Sequence, residues 1–308
     1  MNKIEILKLD SLSREPMVVE GFLFKGTNPD APKVAIVGAM QGDALLPLHC
    51  SALLVNFLQN TIKERKVLGD ILVIPSINHY ALNISEKFWP LDKTNLNMMF
   101  PGYNEGETTQ RIAAKVFETI KDYDYAISLE ISSDQSTCIP HIELLKTGWE
   151  DLEGAKQFGL KIIHHKEVES IDTVTLQYNL QLWETKAYSL ICPTSQHIEQ
   201  AISNQIVEAI IRFLERSKVL QYKIFNEYAT NILKKRDIKI IKAPESGIFI
   251  SLKSPGEYVH KGDILGEIAN GLTGEVIHHF KARFSGMVIT VFNNALVLEN
   301  SIVYRIAK

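Results

Sequence analysis

The chain has 308 residues, of which 45% are hydrophobic and 22% are charged, and its formal net charge is −3. This composition is typical of a globular protein and argues against a disordered or fibrous chain. No run of five like charges occurs in it. The sequence therefore predicts neither nucleic acid nor a membrane surface as a partner.

The sequence also predicts a compartment. Charged residues interrupt the apolar runs of the N-terminal segment, so this segment lacks the apolar core of a signal peptide. No later segment has the roughly 18 uninterrupted apolar residues of a membrane-spanning helix. The three cysteines, Cys50, Cys138 and Cys192, lack C-x-x-C spacing, which favours reduced thiols over disulfides. A cytoplasmic location is therefore expected.

Strand and helix patterns alternate through the first two thirds of the chain. Apolar, β-branched segments occur at 33–39, 70–78 and 125–132, and helices are expected near 45–63 and 109–121. Another helix is expected to face the core with Ile198, Ile202, Ile206, Ile210 and Phe213, and a further one is predicted over 219–235. This alternation predicts an α/β fold with a mixed, mainly parallel sheet flanked by helices.

Beyond residue 237 the pattern changes to short strands separated by Gly and Pro. KAPESGIFIS, which begins at residue 242, recurs as KARFSGMVIT, which begins at residue 281. Gly247 and Gly286 are therefore expected in equivalent turns. Units of this size are too small to bury a face alone, so the two should pack together as a small barrel or sandwich. The sequence thus predicts an α/β domain over 1–237 and an all-β domain over 238–308.

A glycine-rich turn, GAMQGD at 38–43, follows the first buried strand, at the place where open α/β sheets usually hold their functional site. Further motifs follow in chain order: Asn78 in IPSINHYA, NLNMMFPG at 95–102, TTQRIAAKVF at 108–117, SLEISSDQSTCIPHIEL at 128–144 and GEYVHKGDILGEI at 256–268. In this order they resemble the succinylglutamate desuccinylase and aspartoacylase family, whose members are related to the zinc carboxypeptidases. The resemblance covers nearly the whole chain.

The resemblance implies a carboxypeptidase-like fold in which zinc is bound by a His, by a Glu three residues later and by a distant His. A general-base Glu would act on a zinc-bound water to cleave an amide. In this chain the three zinc-ligand positions fall on Gln41, Ala44 and Glu130. Two of the three family ligands are thus replaced by side chains that do not bind zinc well.

The same resemblance implies two other replacements. The family's Asn and Arg, which hold the substrate carboxylate, fall on Asn97 and Met98, so the guanidinium is replaced by a thioether. The general-base Glu falls near Cys192. Catalytic zinc needs three good donors, and without the metal nothing acidifies the attacking water. No zinc and no other cofactor are therefore expected.

The leading hypothesis is a non-catalytic homologue that binds a small ligand resembling an acyl amino acid, or a protein partner, in the former active-site cleft. The residues expected to line this cleft are Gln41, Asp43, Asn78, Asn97, Met98, Glu130 and His141. No catalytic residue is assigned.

Two alternatives stay open. The first is an active amide hydrolase that acts on N-acyl amino acids through a divergent metal site or a thiol. Cys138 beside His141 and Glu130 suggests such a thiol, because a His can activate a Cys and a carboxylate can orient the His. The second is a structural or regulatory subunit. A small molecule or peptide as ligand, and a homo-oligomer, also stay open.

Overall fold

The computed structural model describes residues 1–13, 15–64, 66–132, 135–194, 197–225 and 227–308. The chain divides into two compact units. The first consists of Met1–Ile131, Pro140–Ile191 and His197–Ile232, and the second consists of Ser132–Ile139, Cys192–Gln196 and Leu233–Lys308. The second unit therefore includes two segments that come before residue 237. The domain limits 1–237 and 238–308 stay a prediction.

The secondary structure elements follow the chain in this order. The strands of the first two thirds and the short strand after them are β1 (Asn2–Leu9), β2 (Met17–Phe24), β3 (Val34–Ala39), β4 (Ile71–Ser76), β5 (Tyr125–Ile131), β6 (Ser136–Cys138), β7 (His141–Lys146), β8 (Ile162–Glu167), β9 (Lys186–Cys192) and β10 (Asn231–Leu233). The helices are α1 (Leu45–Lys63), α2 (His79–Leu82), α3 (Thr108–Ile120), α4 (Leu152–Lys156), α5 (Leu176–Leu182) and α6 (Gln200–Arg216). Among the described residues, no helix is long and apolar enough to cross a membrane.

A nine-stranded sheet runs through the first unit in the order β1-β2-β4-β3-β5-β9-β7-β8-β10. Strand β3 pairs in parallel with β4 and β5, and β7 pairs in parallel with β8. The pairs β1 with β2, β2 with β4 and β7 with β9 are antiparallel. Every residue of β3 is buried, as expected for a strand covered on both faces. The predicted fold class, a large mixed sheet flanked by helices, is confirmed.

The apolar face predicted for the helix now labelled α6 is buried over most of its length. Ile206, Ile210 and Phe213 are all inaccessible to solvent. Ile198 is 47% exposed and comes before Gln200, where the helix begins. Its inclusion in the core face was wrong, because the helical periodicity was extended across residues that precede the helix.

The prediction of a helix over 219–235 is wrong. Several backbone amides of this segment donate to carbonyl groups far away in the sequence rather than four residues back. Gln221 N donates to Lys66 O at 2.7 Å, and Tyr228 N donates to Gly159 O at 3.0 Å. These tertiary hydrogen bonds satisfy the backbone of a mostly irregular segment, so the local helical pattern is overridden.

The C-terminal strands form two antiparallel sheets in the second unit. The strands are β11 (Ile238–Lys242), β12 (Gly247–Ser251), β13 (Tyr258–Val259), β14 (Ile264–Ala269), β15 (Val276–Lys281), β16 (Gly286–Phe292), β17 (Leu296–Val297) and β18 (Ile302–Ala307). One sheet has the order β11-β18-β16-β13, with β6 also paired to β16, and the other has the order β15-β14-β12-β17. Both sheets contribute side chains to one apolar core, which includes Phe249, Leu265, Phe280, Val288, Val303 and Tyr304.

The two copies of the internal sequence repeat form strands that begin at equivalent glycines. Gly247 begins β12 and Gly286 begins β16, so both lie at the start of a strand, directly after equivalent bends. A Cβ atom on Gly247 would lie 2.7 Å from the carbonyl oxygen of Ala269, and one on Gly286 would lie 2.0 Å from that of Ala307. In each copy the glycine therefore allows close approach of the neighbouring strand.

Candidate functional site

The turn after β3 is built for close backbone approach. A Cβ atom on Gly38 would lie 2.2 Å from the carbonyl oxygen of Pro75, and one on Gly42 would lie 2.3 Å from that of Glu86. Larger residues would push the turn away from these segments. The two glycines therefore fix the position of Gln41 at the carboxyl end of β3.

Glu130 is held at the same edge of the sheet by strand pairing. Strands β3 and β5 are parallel, with Val37 opposite Ser128, so the next residues of each strand lead to Gln41 and Glu130. Parallel strands bring their carboxyl ends together, which is why residues far apart in the sequence meet here.

Three neutral donors hold the Glu130 carboxylate. Its Oε1 accepts hydrogen bonds from Ser128 Oγ at 2.7 Å and from Ser189 Oγ at 2.8 Å. Its Oε2 accepts a hydrogen bond from Asn97 Nδ2 at 2.9 Å. Ser128 and Ser189 are buried and lie 3.0 Å apart through their hydroxyl oxygens. The carboxylate is thus fixed in orientation by groups that carry no positive charge.

A short 3₁₀ turn, Leu96–Met98, carries Asn97 into the site. Asn95 precedes the turn, and its Oδ1 accepts hydrogen bonds from Asn97 N at 3.2 Å and from Gln41 Nε2 at 3.5 Å. Leu96 is fully buried and anchors the turn to the core. Asn95 therefore positions the two amide side chains, those of Gln41 and Asn97.

A small pocket lies between these residues. It is lined by Met40, Gln41, Ala44, Asn97, Leu129, Glu130 and Ile131, and its volume is about 20 Å³. A volume of this size holds roughly one water-sized group. The structure thus brings together four of the residues predicted from the sequence to form the site. Their functional roles stay predictions.

Other residues predicted for the cleft have different surroundings. Asn78 is fully buried and caps α2, and its Nδ2 donates to the carbonyl of Met40 at 3.4 Å. Met98 ends the 3₁₀ turn and does not line the pocket, and His141 begins β7 and is 7% exposed. Asn78 therefore supports the backbone of the site rather than its surface.

Asp43 lies in the glycine-rich turn but does not line the pocket. Burial raises the pKa of Asp43, against the opposing effects of its own backbone hydrogen bond and of the charge of Lys87. Its Oδ1 is shielded from solvent and has no hydrogen-bond partner among the described residues. The predicted place of Asp43 in the cleft stays a prediction.

The side chain of Cys192 does not share the face of β9 on which Ser189 contacts Glu130. Side chains alternate between the two faces of a strand, and Ser189 of β9 points to the side of Glu130. Ile191, two residues after Ser189, shares that face, whereas Cys192 points to the other face and is fully buried. The placement of the general-base position near Cys192 stays a prediction.

Two of the three cysteines, Cys50 and Cys138, have surroundings that disfavour a reactive thiolate. Cys138 is 3% exposed, and burial raises the pKa of its thiol to about 12, against the opposing hydrogen bond with Ser132. Burial likewise raises the pKa of Cys50 to about 12. A thiol with such a pKa is protonated at neutral pH and is a poor nucleophile. The geometry therefore gives no support to the thiol alternative.

Sequence reasoning missed a second polar cluster. Glu143 Oε2 lies 3.3 Å from His164 Nδ1, and Lys166 Nζ lies 3.4 Å from Glu143 Oε1 and 2.8 Å from Asp172 Oδ1. Burial alone would raise the pKa of Glu143, but the hydrogen bond of His164 and the charges of Lys166 and His141 lower it to about 2. The parallel register of β7 and β8, which pairs Glu143 with His164, forms this cluster. The repeated polar residues of IIHHKE were the available sequence signal.

The residues at the implied zinc positions do not fit zinc. Gln41 offers a neutral amide, Ala44 offers no donor and only Glu130 offers a carboxylate. Structural and catalytic zinc sites use three or four His, Cys or carboxylate ligands. In the part of the chain that the structure describes, no group of three or more His, Cys, Asp or Glu side chains is arranged to hold a metal ion.

Comparison with solved structures places the fold. The chain is similar to the product-bound ectoine utilization protein EutE (DoeB) from Ruegeria pomeroyi, at 20% identity, 98% coverage of this chain, 93% coverage of that one and a TM-score of 0.79. It is similar to a succinylglutamate desuccinylase from a Silicibacter species, at 16% identity, 99% and 93% coverage and a TM-score of 0.80. It is also similar to an aspartoacylase family protein from Mesorhizobium loti, at 18% identity, 100% and 95% coverage and a TM-score of 0.76.

At these identities the likeness establishes the fold alone. The large mixed sheet, with polar residues at the carboxyl ends of its parallel strands, defines a carboxypeptidase-like α/β protein. Residues 30–171 match the sequence model of the succinylglutamate desuccinylase/aspartoacylase catalytic domain, the family that the sequence motifs resemble. No curated protein matches the sequence.

Proposed function

We propose that this chain is a family member that does not hydrolyse acyl amino acids and that binds a small ligand in the pocket at the ends of β3 and β5. The observation that supports the proposal is the hydrogen bonding of the Glu130 carboxylate. Where the resemblance implies a zinc-binding His, the chain has a carboxylate that Ser128, Ser189 and Asn97 already hold. Both carboxylate oxygens of Glu130 thus accept hydrogen bonds from the protein without a metal ion.

The other replacements support the same proposal. Ala44 removes a ligand outright and is 2% exposed, so it packs as a core residue. Met98 carries no charge with which to pair with the carboxylate of an acyl amino acid. The general-base Glu falls near Cys192, and neither Cys192 nor its neighbour Ile191 has a carboxylate. Each change removes a different requirement of the hydrolytic reaction, namely metal, substrate anchor and base.

The pocket is large enough for one small group of a ligand. Its volume of about 20 Å³ admits one end group of a ligand and leaves the remainder outside. A protein partner that inserts one side chain would fit the same description. Cytoplasmic location and self-association stay predictions made from the sequence.

Metal content and hydrolysis test the proposal directly. The protein would be expressed with added zinc, and its metal content would be measured by mass spectrometry. Amine release from a panel of N-acetyl and N-succinyl amino acids would be followed with and without zinc. We expect far less than one zinc per chain and no release above a heat-inactivated control.

Two results would contradict the proposal. One zinc per chain together with chelator-sensitive amine release would establish a divergent metal site. Amine release that Cys138→Ala abolishes would establish the thiol alternative. Cys50→Ala is the matched control for that variant, because Cys50 is an equally buried thiol whose pKa is raised in the same way.

A further inference from the structure

The pocket at Glu130 presents hydrogen-bond acceptors and no cation. Its polar lining residues are Gln41, Asn97 and Glu130, and the remaining lining side chains are apolar. A pocket with this lining is unsuited to a carboxylate or phosphate, which would meet the negative charge of Glu130. It suits a group that donates hydrogen bonds and carries a positive charge.

The orientation of both amides is fixed by their neighbours. Asn95 Oδ1 accepts from the backbone N–H of Asn97, so it is an acceptor, and Gln41 must turn its Nε2 towards it. Asn97 must turn its Nδ2 towards the Glu130 carboxylate. Exchanging N and O in either amide would place two acceptors against each other.

This orientation leaves two carbonyl oxygens without a hydrogen-bond partner. Gln41 Oε1 and Asn97 Oδ1 are both shielded from solvent and make no hydrogen bond with any residue that the structure describes. A shielded acceptor without a partner costs about 1 to 3 kcal/mol. Two such oxygens on residues that line one pocket indicate a place where a donor group binds.

From this acceptor set we propose that the pocket binds the primary ammonium group of a small ligand. An ammonium group has three N–H donors, and three residues that line the pocket carry matching acceptors: Gln41 Oε1, Asn97 Oδ1 and the second lone pair of Glu130 Oε2. Its size is close to that of a water molecule, which matches the volume of about 20 Å³. The inference rests on the proposed function, because a zinc-dependent hydrolase would hold a zinc ion at this place, and the zinc ion would repel an ammonium group.

A divalent metal ion fits the same atoms less well. Calcium takes six to eight oxygen ligands, and magnesium takes an octahedral set of six. Glu130 Oε1 is already engaged by Ser128 and Ser189, which leaves three side-chain oxygens for a metal ion. The ammonium group is satisfied by that number.

The experiment uses the full chain and n-propylammonium chloride as the probe. Binding would be followed by NMR through the side-chain amide resonances of Gln41 and Asn97, in sodium phosphate buffer free of amines. The controls are tetramethylammonium, which has charge but no N–H group, propionate, which has the opposite charge, and n-propanol, which is neutral. We expect saturable shifts of both amides with n-propylammonium at millimolar concentration, and at least tenfold weaker effects with each control.

Variants assign the binding to the pocket. Glu130→Gln removes the charge and keeps the shape, so it should weaken n-propylammonium binding at least tenfold. Glu167→Gln removes one exposed carboxylate at the end of β8 and should leave binding unchanged. Should Glu130→Gln fail to fold, the selectivity of the unaltered protein among the four probes still decides the question.

Several outcomes overturn the inference. These are equal shifts with tetramethylammonium or with sodium chloride alone, tighter binding of propionate, and unchanged binding in Glu130→Gln. Absence of zinc and hydrolysis together with no ammonium binding would reject this inference and leave the proposed function standing. Zinc-dependent hydrolysis would reject the proposed function whatever the probes show.

Discussion

Two carboxylates on one face of the nine-stranded sheet are satisfied in different ways. The antiparallel register of β7 and β9 places Glu143 opposite Ser189, and residues opposite each other share a face. Ser189 in turn donates a hydrogen bond to Glu130. The two glutamates therefore belong to one polar strip across neighbouring strands.

Glu143 is paired with Lys166 and His164, whereas the hydrogen-bond donors to Glu130 among the described residues are all neutral. Lys166 bridges Glu143 and Asp172, and His164 completes the cluster. The charge of Glu143 is thereby compensated inside the protein. The charge of Glu130 is oriented by two serines and Asn97 but is not neutralised.

This difference separates a stabilising cluster from a binding site. A charge that is compensated inside the protein contributes to the free energy of unfolding and interacts only weakly with a charged ligand. A charge that is fixed in place by neutral donors and left uncompensated attracts a cation. The comparison therefore predicts a stabilising role for the Glu143 cluster and supports the proposed ligand binding at the Glu130 pocket.

The largest expected effect comes from restoring the implied zinc ligands. The triple replacement Gln41→His, Ala44→Glu and Glu130→His should bind zinc at least about 1,000-fold more tightly than the unaltered chain, because it supplies three donors at one sheet edge. Incomplete surroundings should still cost about 10- to 100-fold in affinity. Calorimetry with zinc chloride measures this.

The double replacement Gln41→His and Glu130→His is the control for the zinc experiment. It lacks the third ligand and should bind zinc much more weakly than the triple replacement. If the triple replacement shows no binding at millimolar zinc, the three positions do not converge as ligands. The account of a substituted zinc site would then be wrong.

Removing the charge of Glu143 should reduce stability more than removing that of Glu130. Glu143→Gln breaks a charged hydrogen bond with His164 and an ion pair with Lys166, which should cost about 2 kcal/mol of unfolding free energy. Urea denaturation at pH 7 measures the loss. Glu153→Gln, at a carboxylate whose side chain is 79% exposed, should change the free energy by less than about 0.5 kcal/mol. Equal losses of unfolding free energy in Glu143→Gln and Glu153→Gln would show that the Glu143 cluster is not stabilising.

The effect of Glu143 should depend on pH in a defined direction. Its pKa is lowered from 4.5 to about 2, so the folded protein holds the ionised form more strongly than the unfolded chain does. Its contribution is complete above pH 4.5 and is lost as the pH falls towards 2. The difference in unfolding free energy between the unaltered protein and Glu143→Gln should therefore shrink between pH 5 and pH 3, as measured by urea denaturation at each pH. A constant difference would contradict the assignment.

Much of the fold followed from the sequence because its determinants are local or periodic. The apolar run before the glycine-rich turn predicted the buried strand β3, and the helical pattern over 109–121 predicted α3. The convergence of Gln41, Asn97 and Glu130 followed from strand order together with the resemblance. Parallel strands that end in polar residues leave few other arrangements.

The parts that did not follow depend on long-range contacts. The Glu143 cluster forms because β7 and β8 take one particular register, which neither segment encodes alone. The segment 219–235 has a helical pattern, yet its amides bond to residues near 66 and 159.

A smaller effect is expected from neutralising Glu130. In Glu130→Gln, the amide oxygen can still accept from Ser128 and Ser189, and the side chain keeps its shape. The loss should be about 1 kcal/mol or less, because no charged partner is abandoned. The same urea denaturation at pH 7 tests this beside Glu143→Gln. A loss larger than that of Glu143→Gln would reverse the comparison between the two carboxylates.

The smallest single effects should come from the two serines that hold Glu130. Ser128→Ala or Ser189→Ala alone should each cost about 0.5 to 1 kcal/mol of unfolding free energy, because the remaining hydroxyl still donates to Oε1.

The double replacement of the serines should cost more than the sum of the single losses. With both hydroxyls removed, Oε1 loses both of its hydrogen-bond donors in a partly buried position, which neither single change produces. A double-mutant cycle at pH 7 measures the coupling. Strict additivity would show that the two serines act independently, which would contradict this prediction.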